Sequence, residues 1–151
     1  MSWLSITNLK LYQTQLLLQQ WQSDQLPTLQ QALLNAALYH LHDAYLAYLH
    51  ELAESVSYRL PVSTLSELIQ QVSLVTGEMK ELQTLEQDGY SWLAQCLQAI
   101  HDAQRPEQNV VVQHHEPSRI AVIHDPTAAV TQWHQRLSDL IDQQRANRHE
   151  S

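Results

Sequence analysis

Nine histidines in a chain of 151 residues put metal chemistry first among the possibilities. Imidazole and carboxylate ligands carried by one helix must recur at i, i+3 or i+4 so that their side chains share a face. His40 and Asp43 have that spacing, and His50 follows Asp43 two turns further along roughly the same side. The three together are the arrangement a helical metal-dependent enzyme would use. Against it, the chain contains no Glu-x-x-His pair, the di-iron pattern of helical bundles, and no second helix with a matching His pair. His101 and His134 have no i+4 ligand partner. His114, His115 and His124 lie in a stretch of β-branched residues, where adjacent side chains point to opposite faces. The histidines therefore read as surface groups or hydrogen-bonded core groups, with no metal, cofactor or catalytic residue assigned.

Other chemistries have less behind them. Cys96 is the single cysteine; it cannot form an internal disulfide and sits mid-stripe on an amphipathic segment, as a small buried hydrophobe does. No serine occupies a Gly-x-Ser-x-Gly elbow, and two glycines exclude a Gly-rich phosphate loop. Arg119 and His124 stand at an Arg-x4-His spacing that resembles the RNA-cleaving pair of HEPN-class nucleases. Acid–base cleavage of RNA also needs an electropositive groove. Here 8 Lys+Arg face 16 Asp+Glu, a formal net charge of −8, so no direct nucleic-acid contact is expected. The acidic excess gathers at Glu67, Glu78, Glu81, Glu86 and Asp88 and reads as a solvated face. No run of about 18 apolar residues suggests a membrane span, and the first residues lack a signal-peptide layout, so a cytoplasmic location is expected.

The elements that would position these residues are helical. The hydrophobic fraction is 44%, Leu, Ala, Gln and Glu abound, and only 16% of residues are charged, which suits a folded domain rather than a disordered tail or a coiled-coil rod. A first helix capped by Ser5 or Thr7 should run to about Gln22 on a stripe of Leu9, Tyr12, Leu16 and Leu17. Pro27 opens the longest uninterrupted segment, which ends before Leu60-Pro61 and is apolar around most of its circumference. Thr64-x-x-Glu67 is a capping box for a short helix to about Val75, with Gly77 as its stop. An acidic helix from Glu78 to Glu86 follows, then one from Ser91 to about Ala103 with a stripe of Trp92, Leu93, Cys96, Leu97 and Ile100. Residues 104–124 break the pattern: Val110-Val111-Val112 and Ile120-Ala121-Val122-Ile123 read as extended. Asp125-Pro126 starts a closing helix to about Arg145, leaving 146–151 as a frayed tail. The expected architecture is a single all-α domain over 1–151: a bundle of about five helices around a long central one, with a short extended segment before the last.

The block Ala36 to Ala53 (AALYHLHDAYLAYLHELA), Tyr58-Arg59-Leu60-Pro61, Leu11-Tyr12, Ser91-Trp92-Leu93 and Trp133…Leu137…Leu140-Ile141 together resemble a gammaproteobacterial family of small proteins, the domain of unknown function numbered 6586. The resemblance covers nearly the whole chain. It implies an all-helical cytoplasmic protein and carries over no catalytic or ligand residue. The expected role is that of a non-enzymatic interaction or adaptor protein, with a protein partner or a second copy as the binding target. Its contact residues are expected among Tyr45, Leu49, Val110, Val111, Val112, Ile120 and Val122, because Tyr-rich apolar surface suits interfaces. The alternative is a helical metal- or RNA-acting enzyme using His40, Asp43 and His50, or Arg119 and His124.

Overall fold

Ser2 begins the first helix: its Oγ accepts the Ser5 amide at 3.1 Å, and α1 runs Trp3–Gln20. The computed structural model describes residues 1–105 and 125–150. Among them are five further helices, α2 (Pro27–Ser55), α3 (Leu65–Gln71), α4 (Gly77–Gln87), α5 (Trp92–Ala103) and α6 (Pro126–Glu150), and no strand. The fold is all-α, with one helix more than the sequence suggested. The extended runs expected at Val110–Val112 and Ile120–Ile123, together with Arg119 and His124, lie outside the described residues.

The central element is α2. Pro27 occupies its first turn, where a missing N–H costs nothing. With no glycine or internal proline to interrupt it, α2 extends for 29 residues. Between Ala37 and Ala53 it is buried on nearly every side, and it packs against α1, α3, α5 and α6. It stops earlier than Leu60-Pro61. Ser57 takes a left-handed φ of 62°, the Tyr58 amide reaches back to the Ala53 carbonyl at 2.9 Å, and the Ser57 amide reaches Glu54 at 3.0 Å. This pair of bonds is the Schellman closure that glycine usually makes. A serine in the glycine position hid the stop from sequence reading.

The first helix lies antiparallel on α2, with Trp3 stacked on His50 at 4.0 Å and Lys10 ion-paired to Asp43 at 3.6 Å. It presents a different face from the expected one. Thr7 and Thr14 are fully buried, flanked by half-buried Leu11, Leu17 and Leu18, while Leu9, Tyr12 and Leu16 are 38%, 57% and 39% exposed. The physical reason is local. A helical threonine can satisfy its hydroxyl on the carbonyl one turn back, as Thr14 does with Lys10 at 2.8 Å, and its small side chain lets the backbones approach. Against an alanine-bearing α2 (Ala37, Ala44, Ala47), closeness outweighs the burial of leucine.

The remaining helices are set by their caps. Thr64 accepts the Glu67 amide at 3.0 Å as expected, while Glu67 reaches back to the Ser63 amide at 3.1 Å rather than to that of Thr64. Gly77 is the first residue of α4 and not a stop for α3; Thr76 caps it through the Met79 amide at 3.3 Å. Ser91 caps α5, which buries Leu93, Cys96 and Ile100. Asp125 accepts the Thr127 amide and hydroxyl at 2.9 and 2.5 Å, and these bonds pull its carboxyl below the usual range. Beyond it α6 buries Val130, Leu137, Ile141 and Gln144. It continues past Arg145 to Glu150, so residues 146–150, expected to be a frayed tail, belong to the helix. Arg148 in that stretch reaches the core.

Candidate functional site

The histidine–carboxylate triad on α2 is dismantled by its own hydrogen bonds. His50 lies 2.8 Å by Nδ1 from the Leu46 carbonyl, which can only accept, and 3.2 Å by Nε2 from the Val62 amide, which can only donate. His50 is therefore the neutral Nδ1–H tautomer with both nitrogens occupied, pinning the chain after α2 and stacked under Trp3. Asp43 faces Lys10. His40 keeps a buried Nδ1 without a partner, and the register that sets Trp3 against His50 and Lys10 against Asp43 sets it opposite Gln13, whose Oε1 is likewise buried and unpaired. No group of three or more His, Cys, Asp or Glu side chains among the described residues is disposed to hold a metal ion. His134 donates or accepts nothing catalytic either; its Nε2 meets the Leu11 carbonyl at 2.8 Å and ties α6 to α1.

Two buried polar clusters went unseen in the sequence. In the first, Arg145 forks onto Glu51, Nε to Oε1 at 3.1 Å and Nη2 to Oε2 at 2.7 Å, with their side chains 15% and 8% exposed. The Thr7 hydroxyl meets the same carboxylate at 2.7 Å, and Asn8 accepts from the Arg145 guanidinium at 2.9 Å. Next to it the Tyr48 hydroxyl donates to Gln144 and accepts from Arg148 at 3.0 Å, while Gln144 donates to Glu81 at 2.7 Å. Burial pushes the Tyr48 phenol up to about 12, against the pull of Arg148. Every member has a partner within the chain, so the cluster locks α6 onto α1, α2 and α4 rather than awaiting a ligand.

The second cluster lies between α2, α4 and α5, where the Tyr45 hydroxyl donates to Glu86 beside His42. Burial raises the Glu86 carboxyl, partly opposed by Tyr45, and raises Tyr45 well above its usual value. Burial also lowers His42, partly offset by Asp43. The cavity they share holds only about 80 Å³, too small for an organic substrate. Tyr45 and Leu49 are 4% and 0% exposed. Read from the sequence as contact residues, they are core, because α2 is covered on the very side that made it look adhesive. Cys96 is buried too, its thiol pushed up to about 12 by desolvation.

What the fold leaves to the outside is a face and a groove. The face is the outer side of α1, where Leu9, Tyr12 and Leu16 recur at three-four spacing and no exposed helix position carries a charge. The groove, of about 470 Å³, opens where the end of α1, the start of α2, α5 and the start of α6 converge; Trp21, Leu34, Leu38 and Trp133 line it. A model of a family of unknown function, DUF6586, matches residues 1–151. The chain belongs to DUF6586. No curated protein and no solved structure matches it. Membership in DUF6586 agrees with the resemblance read from the sequence and brings no site residue with it. In this DUF6586 protein the face and the groove are the features open to a partner. The tryptophans at 21 and 133 were a signal available in the sequence, but nothing local says that residues from four helices meet.

Proposed function

We propose that this protein is a non-enzymatic interaction protein whose contact surface is the outer face of α1, and that the occupant of that face is a second copy of the chain. The stripe of Leu9, Tyr12 and Leu16 carries the proposal: apolar side chains at helical spacing stand in solvent on a helix whose other side is fully engaged. Interface centres are depleted of charge and enriched in tyrosine, and α1 has one charged residue in its 18, Lys10, which is spent on Asp43. The same feature favours a second copy. Two molecules of net charge −8 repel each other, and they meet at least Coulomb cost through a face that bears none of that charge.

Sedimentation velocity over a wide concentration series tests this. The wild-type mass should rise toward that of a dimer, more readily in high salt, because salt screens the mutual repulsion and leaves the apolar contact intact. The Tyr12→Glu/Leu16→Glu variant should remain monomeric with an unchanged far-UV circular dichroism spectrum. A wild-type protein that is monomeric at every concentration and salt level overturns the proposal.

A further inference from the structure

The groove at the junction of α1, α2, α5 and α6 is a separate feature with its own chemistry. We propose that it is a binding site for a neutral, planar aromatic molecule carrying a hydrogen-bond acceptor on its edge. Three observations specify that ligand. The first is size: about 470 Å³ falls in the range of small-molecule sites and is well above the other apolar cavity, beside Tyr45. The second is the lining. Two indoles, Trp21 and Trp133, with Leu34, Leu38 and Val130, form apolar walls, and none of the residues around the groove is Asp, Glu, Lys, Arg or His. A charged ligand would lose its hydration there and gain no counter-charge, so an ionised molecule is disfavoured.

The third observation assigns the polar atom. Trp21 lines the groove, and its indole Nε1–H is buried with no acceptor in the protein. Buried tryptophan N–H groups usually find a partner, and an indole can only donate. The missing partner is an acceptor: a carbonyl oxygen or an aromatic ring nitrogen. Asn35 and Gln31, at the rim, offer further amides that orient a neutral polar edge. The walls select a flat apolar body and Trp21 selects where its acceptor lies. This site shares no residue with the α1 stripe, so the fate of one proposal leaves the other standing.

The test uses the whole protein and two probes of nearly identical shape. Quinoline carries a ring nitrogen acceptor, and naphthalene carries none. Binding is followed through the tryptophan indole N–H resonances in nitrogen-15 NMR, with Trp21→Phe identifying the Trp21 signal. Quinoline should saturate the site, move the Trp21 signal, and bind about three- to ten-fold tighter than naphthalene, the difference one net hydrogen bond makes. In Trp21→Phe the two probes should bind alike. Ala129→Trp, which fills the groove while leaving Trp21 in place, should abolish both at unchanged helicity. If neither probe saturates, because other residues of the chain or a second copy already cover the walls, the proposal fails. Equal affinities with an unmoved Trp21 signal also overturn it, and that comparison in the wild-type protein stands even if a variant does not fold.

Discussion

Replacing Arg145 by methionine measures how much of the molecule's stability rests on the clamp between α6 and α2. Methionine keeps most of the aliphatic stem, so the substitution removes charge and hydrogen bonds rather than volume. What it leaves is Glu51, 8% exposed, with its two charge-assisted bonds at 3.1 and 2.7 Å gone. Stranding one member of a buried pair costs about 3–5 kcal/mol. The low end applies, because the Thr7 hydroxyl still meets the carboxylate at 2.7 Å and the Arg148 guanidinium stands 4.0 Å away. At roughly 2–4 °C per kcal/mol for a chain of this length, a loss of about 3 kcal/mol lowers Tm by about 6–12 °C. Glu51→Met alone should cost somewhat less, since the partly exposed guanidinium keeps Asn8 and gains water. The double variant should cost less than the two singles added, by about 2–3 kcal/mol, because neither charge is then stranded. Urea unfolding followed by far-UV circular dichroism supplies all four corners of the cycle. Additive losses, or an Arg145→Met cost below about 0.5 kcal/mol, would refute the reasoning and reduce the pair to an ordinary surface contact.

Three further outcomes follow from local geometry. Ser57→Gly should stabilise the protein by about 0.5–1 kcal/mol, since relief of the left-handed backbone at φ 62° exceeds glycine's entropy cost in the unfolded chain; a fall in the urea midpoint would contradict it. Glu86 has a carboxyl raised by burial, so folding favours its protonated form: that contribution is complete below the ordinary glutamate value and is lost as pH rises through the raised value in the folded state. Glu86→Gln should flatten this part of the stability-versus-pH curve and gain on the wild type at neutral pH, as paired urea titrations would reveal. Cys96, buried with its thiol pushed up to about 12, should resist a thiol-specific disulfide reagent in the native protein and react promptly in denaturant. Fast native labelling would mean that α5 opens far more readily than its packing implies.

Much of the architecture was legible because it rests on signals local to each element. Pro27, Thr64, Ser91 and Asp125-Pro126 mark starts through bonds made within one turn, and the α5 and α6 stripes bury the residues their periodicity predicts. Three local signals misled for identifiable reasons. A serine occupies the left-handed position that ends α2, a glycine begins α4 instead of ending α3, and two threonines displace three large apolar residues from the buried face of α1. The candidate site was much less visible. Glu51 and Arg145 stand 94 residues apart, and the groove joins side chains from four helices, so nothing in a local window marks either one.

The inversion of α1 bears most directly on function. Amphipathic helices ordinarily turn leucine inward and hydroxyls outward, since burying a large apolar side chain contributes roughly 1.5–3 kcal/mol. Here Thr7 and Thr14 go in, and Leu9, Tyr12 and Leu16 stay partly in water. Within the monomer the arrangement is justified only by the Glu51 carboxylate that Thr7 meets and by the close approach to α2. Neither would be disturbed if Leu9 and Leu16 were glutamine, as many neighbouring α1 residues are. Stability of the single chain thus gives no reason for that stripe to be apolar, whereas burial against another helix does. If Leu9→Gln/Leu16→Gln proves as stable as the wild type at low concentration yet loses a concentration-dependent rise in Tm, the stripe belongs to association and not to folding. A variant that loses the same stability at every concentration would assign those leucines to the monomer's own core.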